Sequence, residues 1–362
     1  MSGGSSAAAA RRPDVGGQAV IEGVMMRSPA SFTVVCRRPD GAIVIKEEAW
    51  RPVWARVRFL RWPFLRGALV LLESLLNGIA ALTFSANQQQ VAEGDGASGD
   101  DRAPRPRSLG ARAADPSGET SAATWGMVAV SLLFGIGLFV GAPHLAAWAL
   151  GNLLGFDSST YTFHLVDGGI KMALLVGYMA AISLLPDVRR VFQYHGAEHK
   201  AIFTYERNLP LTIENARAQT RFHPRCGTSF LLIVIMVSVV LFSAALTHRL
   251  AASTPIDHLL KIAIKVPLMF PVAGLAYEFI KMAGKRCETS RLARALSAPG
   301  MWLQKITTRE PTDDQLEIAL LSIRKTLWRE AAGAAAGAAR PGQGVVEVYA
   351  SAADVDLPLL AA

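Results

Sequence analysis

Residues 228–246 read TSFLLIVIMVSVVLFSAAL, an uninterrupted apolar run without a charged side chain. A run of about 20 such residues is what a helix needs to cross the hydrocarbon core of a membrane. Three similar segments lie at 125–150, 168–185 and 259–282. The whole chain of 362 residues is 51% hydrophobic and only 18% charged, which is low for a soluble protein of this length. We therefore predict a polytopic helical membrane protein, mostly α, with four transmembrane helices.

A fifth apolar run, residues 67–86, is long enough to span but contains Glu73 and Asn77 one helical turn apart. It follows residues 51–66, RPVWARVRFLRWPFLR, which carry five arginines and no acid. Aromatic and aliphatic residues on one stripe among arginines predict an interfacial helix that binds anionic lipid headgroups. The alternative is RNA binding through interleaved arginines and aromatics. The apolar run that follows at once favours lipid, so a nucleic-acid partner is not expected.

The loops between the apolar segments differ in basic residues. Residues 151–167 contain no Lys or Arg and 247–258 contain one Arg, whereas 187–227 contain seven basic residues. Because basic loops stay in the cytosol, the loop 187–227 is expected there. A fifth span at 67–86 would then move the arginine-rich stretch to the outside, against the same rule. We therefore expect 67–86 to be re-entrant or to pack at the interface, with both ends, and both chain termini, in the cytosol.

The remaining segments are expected outside the membrane. A turn-forming Pro39-Asp40-Gly41 separates two β-branched runs at 31–38 and 42–49, so a small cytosolic β-sheet is predicted within 13–50. The first residues contain no apolar run that would form a cleavable signal peptide. The three cysteines, Cys36, Cys226 and Cys287, are an odd number without close pairing, which indicates reduced thiols.

Composition predicts the other domain boundaries. Small and polar residues predict disorder at 1–12, in a linker at 88–123 and in an Ala/Gly-rich tail at 331–362. Residues 51–87 would form the interfacial and re-entrant helices, and 124–283 the transmembrane domain. Cytosolic helices are expected over 284–330, where Thr312 precedes two acids and a glutamine, as at a helix start.

Residues 194–202, YHGAEHKAI, contain the strongest candidate for chemistry. His195 and His199 lie four residues apart on the apolar stripe of a predicted helix, so both rings can bind one metal ion. Glu198 flanks them as in the H-x-x-E-H pattern, where the acid is the general base beside zinc. The alternative is a pair of core or interfacial histidines satisfied by hydrogen bonds, with Glu198 in solvent.

Four further residues could complete such a site. His223 and Cys226 form a His-x-x-Cys pair in HPRCGTSF, and Glu278 lies in the last apolar segment. Strand alternation in GGQAVIEGVMMR would place Glu22 on an apolar face, where a carboxylate needs a partner or a role. Three of them also have structural explanations: His223 could shape a turn, Cys226 could be a buried small hydrophobe, and Glu278 could be a snorkelling or lysine-paired acid. Loop charges place all of them at the cytosolic face, which favours a shared site for a divalent metal, in first place zinc.

The stretches GGQAVIEGVMMR, YHGAEHKAI, HPRCGTSF, AYEFIKMAG and TTREPTDDQLE together resemble the YqhQ-like family of bacterial membrane proteins. The resemblance covers residues 15–330 apart from the linker. That family has been treated as a domain of unknown function, and metal-dependent enzyme activity has been suggested for it. The resemblance implies a bacterial plasma-membrane protein. It also implies a functional cluster of metal-site and catalytic residues: His195, Glu198, His199, His223, Cys226 and Glu278, with Glu22 beside them.

Three functions are compatible with these patterns. The first is a membrane-embedded zinc hydrolase at the cytosolic interface: His195 and His199 bind the metal, Glu278 or His223 completes the ligands, and Glu198 is the base. The second is a non-catalytic scaffold whose metal is fully coordinated by both helical histidines, His223 and Cys226. The third is a transporter or channel that uses Glu73, Lys265 and Glu278 as intramembrane charges, although no inverted repeat is visible. The patterns specify neither a substrate nor an oligomeric state.

Overall fold

The computed structural model describes residues 12–50, 65–95, 113–114, 122–286, 290–332 and 344–356. The strands are β1 Gly16–Val20, β2 Gly23–Arg27, β3 Ser31–Arg37, β4 Ile43–Ala49, β5 Ala113–Ala114 and β6 Val345–Tyr349. The helices are α1 Leu65–Asp95, α2 Ala122–Ile136, α3 Ala142–Leu154, α4 Tyr161–Ile182, α5 Pro186–Glu206, α6 Ile213–Arg217, α7 Gly227–Ala245, α8 Thr254–Arg286, α9 Arg291–Thr307 and α10 Asp313–Ala332. A π-helical turn, Gly137–Gly141, joins α2 to α3. The described part of the chain is therefore mostly helical, with one sheet.

The sheet is antiparallel throughout and has the order β1-β2-β3-β4-β6-β5. The predicted N-terminal sheet and its β3–β4 hairpin are confirmed. We expected a disordered tail over 331–362, but Val345–Tyr349 pairs with β4 as strand β6. We also expected a disordered linker over 88–123, but its first residues extend α1 to Asp95, and Ala113–Ala114 pairs with β6.

Both faces of the sheet are covered by helices. On one face, apolar residues of β2, β3 and β4 pack against α5 and α10. On the other face, Val20, Val34 and Val44 pack with Ala81 and Phe84 of α1. Burial on both faces explains why these strands are nearly continuously apolar. The sheet thus holds α5, the helix with the paired histidines, in a fixed position.

Among the described residues, five helical segments are long and apolar enough to cross a membrane, by length and composition. The segments are Gly67–Gln90, Gly126–Leu154, Tyr161–Ile182, Gly227–Ala245 and Thr254–Ala283. The last four correspond to the predicted spans. The first belongs to α1, which is one continuous helix over Leu65–Asp95. The chain therefore does not turn back within 67–86, as a re-entrant segment there would require.

The two halves of α1 have different neighbours. Near its start, Gly67 lies against α8, where an added Cβ would be 3.0 Å from the carbonyl oxygen of Gly274. Near its end, Gln88 accepts a hydrogen bond from Arg38 at 3.0 Å. Trp50, just after β4, packs on the same apolar cluster as the second half of α1. Both ends of the segment from 50 to 90 therefore lie beside one sheet. Residues 51–64 of the predicted interfacial helix lie outside the described residues, as do residues 1–11.

Candidate metal centre

Two elements bring three potential ligands together. His195 and His199 lie one turn apart on α5, and Cys226 directly precedes α7. One ligand atom of each of the three lies within 4.8 Å of the others. Nε2 of His195 is 3.2 Å from Sγ of Cys226, and the two imidazole rings are 4.4 Å apart. The helical spacing predicted the pair of histidines, and the fold adds the thiol to it.

Backbone carbonyls hold both imidazole rings. Nδ1 of His195 donates to the carbonyl of Thr307 at 2.8 Å, and Nδ1 of His199 donates to the carbonyl of Arg221 at 2.6 Å. A proton fixed on Nδ1 leaves the Nε2 lone pair of each ring available as a ligand. Metal-binding histidines usually have such a partner on their second nitrogen, because it fixes the ring and its tautomer.

The electrostatics of the cluster favour a cation between these side chains. Burial opposes a thiolate at Cys226, but the neighbouring His195 and His199 outweigh burial and hold the thiol pKa well below its usual value. Burial likewise opposes a charged His195, but the charge and hydrogen bond of Cys226 raise its pKa to about 9. The pair therefore holds a proton between a thiolate and an imidazole. A soft divalent metal such as zinc can replace that proton, since it binds the same two atoms.

Glu198 lies between this cluster and the edge strand β1. It is buried and accepts a hydrogen bond from the backbone N–H of Ala19. Gly17 leaves room for it, because a Cβ there would lie 2.9 Å from Cγ and Oε1 of Glu198. Burial raises the pKa of the carboxyl group, while the two histidines act in the opposite direction. A carboxylate with a raised pKa beside a ligand cluster is suited to proton transfer.

His223 does not join the three ligand residues, although its ring is 5.6 Å from that of His199. Its Nε2 lies 3.4 Å from a carboxylate oxygen of Glu206, and its Nδ1 accepts the backbone N–H of Arg225 at 3.3 Å. Burial lowers its pKa despite the Glu206 carboxylate. Both nitrogens are thus engaged elsewhere, and the ligand group among the described residues has three members.

Two other predicted residues lie outside the cluster. Glu22 is in the two-residue turn between β1 and β2 with a φ of 51°, so the strand alternation that placed it on an apolar face does not apply. Its carboxylate forms an ion pair with Arg190 and accepts a hydrogen bond from the Tyr194 hydroxyl at 3.4 Å. Glu278 lies in α8 and, in the described part of the chain, is not in the metal-ligand group.

Sequence reasoning missed the groups that support the site. Gly17 and Ala19 on β1 contact Glu198, and the carbonyls of Arg221 and Thr307 fix the imidazoles. Backbone carbonyls leave no trace in residue identity. The glycine pair that begins GGQAV was a usable signal, since a glycine in a strand often marks a close approach.

We expect Gly196→Ala to lower the free energy of unfolding by about 1–3 kcal/mol, the usual cost of overpacking a buried position. Its added Cβ would lie 2.1 Å from the carbonyl oxygen of Arg309, on the segment that also supplies Thr307. Thermal unfolding of the purified chain would show the loss. Gly177→Ala is the matched control, because a Cβ at that helical position meets nothing within 4 Å. Equal unfolding temperatures for the two variants would contradict the packing of α5 described above.

The comparisons with known proteins give the family. The profile described as protein of unknown function (DUF1385) matches residues 62–329. The chain is 33% identical over 321 residues to the uncharacterized protein YqhQ of Bacillus subtilis (strain 168), covering 88% of this chain and 94% of that protein. No solved structure matches the chain. The chain belongs to the DUF1385 family of proteins of unknown function, as its resemblance to YqhQ-like proteins predicted.

Proposed function

We propose that this protein is a membrane-embedded, metal-dependent hydrolase that acts at the cytosolic interface. His195, His199 and Cys226 would hold a divalent metal, for which we propose zinc, and Glu198 would be the general base. The observation that carries the proposal is the convergence of two imidazoles and a thiol within 4.8 Å, with a buried carboxylate on the same helix.

Three ligand residues in the described part of the chain favour catalysis over a structural role. Structural zinc sites have four protein ligands, whereas catalytic sites have three and keep one position open. His223, the fourth ligand that a scaffold would need, is engaged by Glu206 and Arg225. Zinc held by these residues would supply an activated water, since such sites lower the pKa of bound water to about 7. Glu198 would accept a proton from that water, and the carbonyls of Thr307 and Arg221 would keep the imidazoles in place.

The location of the site supports the membrane-interface assignment. We place the chain in the plasma membrane as a multi-pass protein with both termini in the cytosol. The basic loop 187–227 contains both histidines and Cys226, and the sheet that packs on α5 also lies beside both ends of the segment from 50 to 90. Arginines within 51–66 would bind anionic lipid headgroups. The substrate would be a carbonyl or phosphoryl compound reached from that side.

A second candidate function follows from one contact. Nε2 of His195 lies 3.2 Å from Sγ of Cys226, while its Nδ1 donates to the carbonyl of Thr307. An oriented histidine beside a thiol is also how a cysteine nucleophile is activated. This metal-free alternative would make the protein a thiol-dependent acyl transferase or hydrolase. We rank it second because it leaves His199 without a role.

Metal analysis and chelation test the proposal. We expect the full-length protein, purified in detergent without added metal, to contain one zinc per chain. Chelation should abolish hydrolysis across a panel of ester, peptide and phosphodiester substrates, and zinc should restore it. A protein that binds no metal when purified or titrated would refute the proposal. Activity that survives chelation but is lost on alkylation of Cys226 would favour the thiol nucleophile. Bound zinc without activity towards the panel would favour the scaffold.

A further inference from the structure

A second group of buried charges lies at the other end of the helical bundle. From Cys226, α7 runs 19 residues, or about 28 Å, before the loop that begins at Leu246. Near that loop, five charged side chains are at most 5% exposed. They are Asp167, Lys171, Asp257, Lys261 and Lys265. Charged groups inside a helical bundle of this kind are costly and are commonly functional.

A cavity of about 340 Å³ opens beside this group. Its lining includes Trp148, Asn152, Ser158, Arg249 and His258. Behind Ser158, the Nζ of Lys261 donates to the serine hydroxyl oxygen at 2.9 Å and lies 2.9 Å from a carboxylate oxygen of Asp257. The Lys261–Asp257 pair is therefore balanced in charge and lies behind Ser158, which lines the cavity.

From His258 a continuous series of hydrogen bonds leads inwards. Nδ1 of His258 is 3.0 Å from Nε2 of His144, and Nδ1 of His144 is 2.9 Å from Nζ of Lys265. Lys265 in turn donates to Oδ2 of Asp167 at 2.6 Å. Lys265 lies about 16 Å along α8 from the first residue of that helix. The series therefore joins the cavity to the interior of the bundle through two imidazoles.

The donors and acceptors in this series have one consistent direction. An ammonium group has only donors, so Nδ1 of His144 must accept from Lys265. His144 then carries its proton on Nε2 and donates it to Nδ1 of His258. His258 in turn carries its proton on Nε2. Each member of the series can thus pass on one proton while it receives another.

The inner end of the series, formed by Lys171, Lys265 and Asp167, has a net positive charge. Lys171 and Lys265 both donate to Oδ2 of Asp167, at 2.7 and 2.6 Å. Oδ1 of Asp167 has no hydrogen-bond partner in the described part of the chain. Two ammonium groups on one carboxylate leave a net charge of +1 where every member is at most 5% exposed. Burial in a low-dielectric interior favours the neutral form of one amine.

We propose that His144 and His258 form a proton relay between the cavity and Lys265. Lys265 gives a proton to Nδ1 of His144, which gives its Nε2 proton to Nδ1 of His258, which releases its Nε2 proton to water in the cavity. Lys265 becomes a neutral amine and both imidazoles stay neutral in the opposite tautomer. Uptake reverses these steps. The bundle thus contains a proton-exchange site that is separate from the metal centre.

Lys265 is the exchanging group because, of the two lysines that donate to Asp167, it is the one that contacts an imidazole. Lys171 contacts Asp167 and lies over the ring of Phe242. The titratable and charged groups around Lys265 come from three helices. They are His144 on α3, His164, Asp167 and Lys171 on α4, and Asp257, His258 and Lys261 on α8. On α7, the ring of Phe242 lies beside Lys265 and carries no charge.

The test is a rapid pH jump from mildly acidic to mildly alkaline buffer, followed by time-resolved infrared spectroscopy. The full chain is held in lipid nanodiscs. Loss of the Lys265 proton changes the field at Asp167, so its carboxylate bands should shift, and Asp167→Asn assigns those bands. In Lys265→Met the shift should disappear. In His144→Gln, whose amide can hydrogen-bond but cannot relay, the amplitude should remain while the rate falls about 100-fold.

His248→Gln is the matched control, because His248 is exposed in the same loop region and outside the series. It should have the wild-type rate. Thermal unfolding identifies any variant that does not fold, and His258→Gln then replaces His144→Gln as the test of the relay. Absence of the Asp167 shift in the wild-type protein would show that the charges are fixed. A rate in His144→Gln equal to that of the control would overturn the relay.

Discussion

We expect zinc affinity to fall by more than about 100-fold when His199 is replaced by alanine. Loss of a residue that merely orients a metal ligand already lowers metal affinity by about 10–100-fold. The variant removes one of three ligand atoms and leaves the His195–Cys226 contact of 3.2 Å alone. Two ligands cannot hold zinc against a competing chelator. Metal content after purification and competition titration with a chromophoric chelator measure the loss. His195→Ala and Cys226→Ala should behave in the same way.

His223→Ala provides the sharpest comparison for this prediction. His223 lies in the same loop, and its ring is only 5.6 Å from that of His199, but its nitrogens face Glu206 and Arg225. Its removal should leave the metal content near that of the wild type, and His248→Ala controls for loss of a histidine elsewhere. Loss of zinc from His223→Ala would show four protein ligands, which is the arrangement of the scaffold hypothesis. Retention of zinc by His199→Ala would refute the site.

The paired histidines could be predicted from sequence because a helix fixes the relation between residues four apart. Their third partner could not be chosen in the same way. Cys226 is separated from His195 by 31 positions, and its approach depends on how the segment before α7 folds back on α5. Glu278, His223 and Cys226 were equally acceptable as residue types. The fold selects Cys226 and engages His223 with Glu206.

The fold shows the same division between local and long-range information. The turn at Pro39-Asp40-Gly41 predicted the β3–β4 hairpin, because its strands are adjacent in sequence. Strand β6 was missed because Val345–Tyr349 follows an Ala/Gly-rich segment and its partner, β4, lies about 300 residues earlier. Glu22 was misplaced because alternation was continued through a two-residue turn. Each error concerns a position that residues far away in sequence, or a change of direction, determine.

Glu198 offers a test that separates catalysis from metal binding. Its carboxylate is buried beside the ligand residues and accepts the N–H of Ala19, yet it is not one of the three ligands. Glutamine has nearly the same shape and keeps an oxygen for the Ala19 hydrogen bond. It cannot accept a proton from water, however. Replacement of Glu198 by glutamine should therefore remove the general base and leave both the bound metal and the fold unchanged.

We expect Glu198→Gln to lower the rate of metal-dependent hydrolysis by about 10²–10⁴-fold, the usual contribution of a positioned general base. Its zinc content should equal that of the wild type, since His195, His199 and Cys226 are unchanged. Glu214→Gln, an exposed carboxylate in the same loop, is the matched control and should keep full activity. Turnover and metal content must be measured on the same preparation. Full activity in Glu198→Gln would remove its role as base, and joint loss of zinc and activity would make it a ligand.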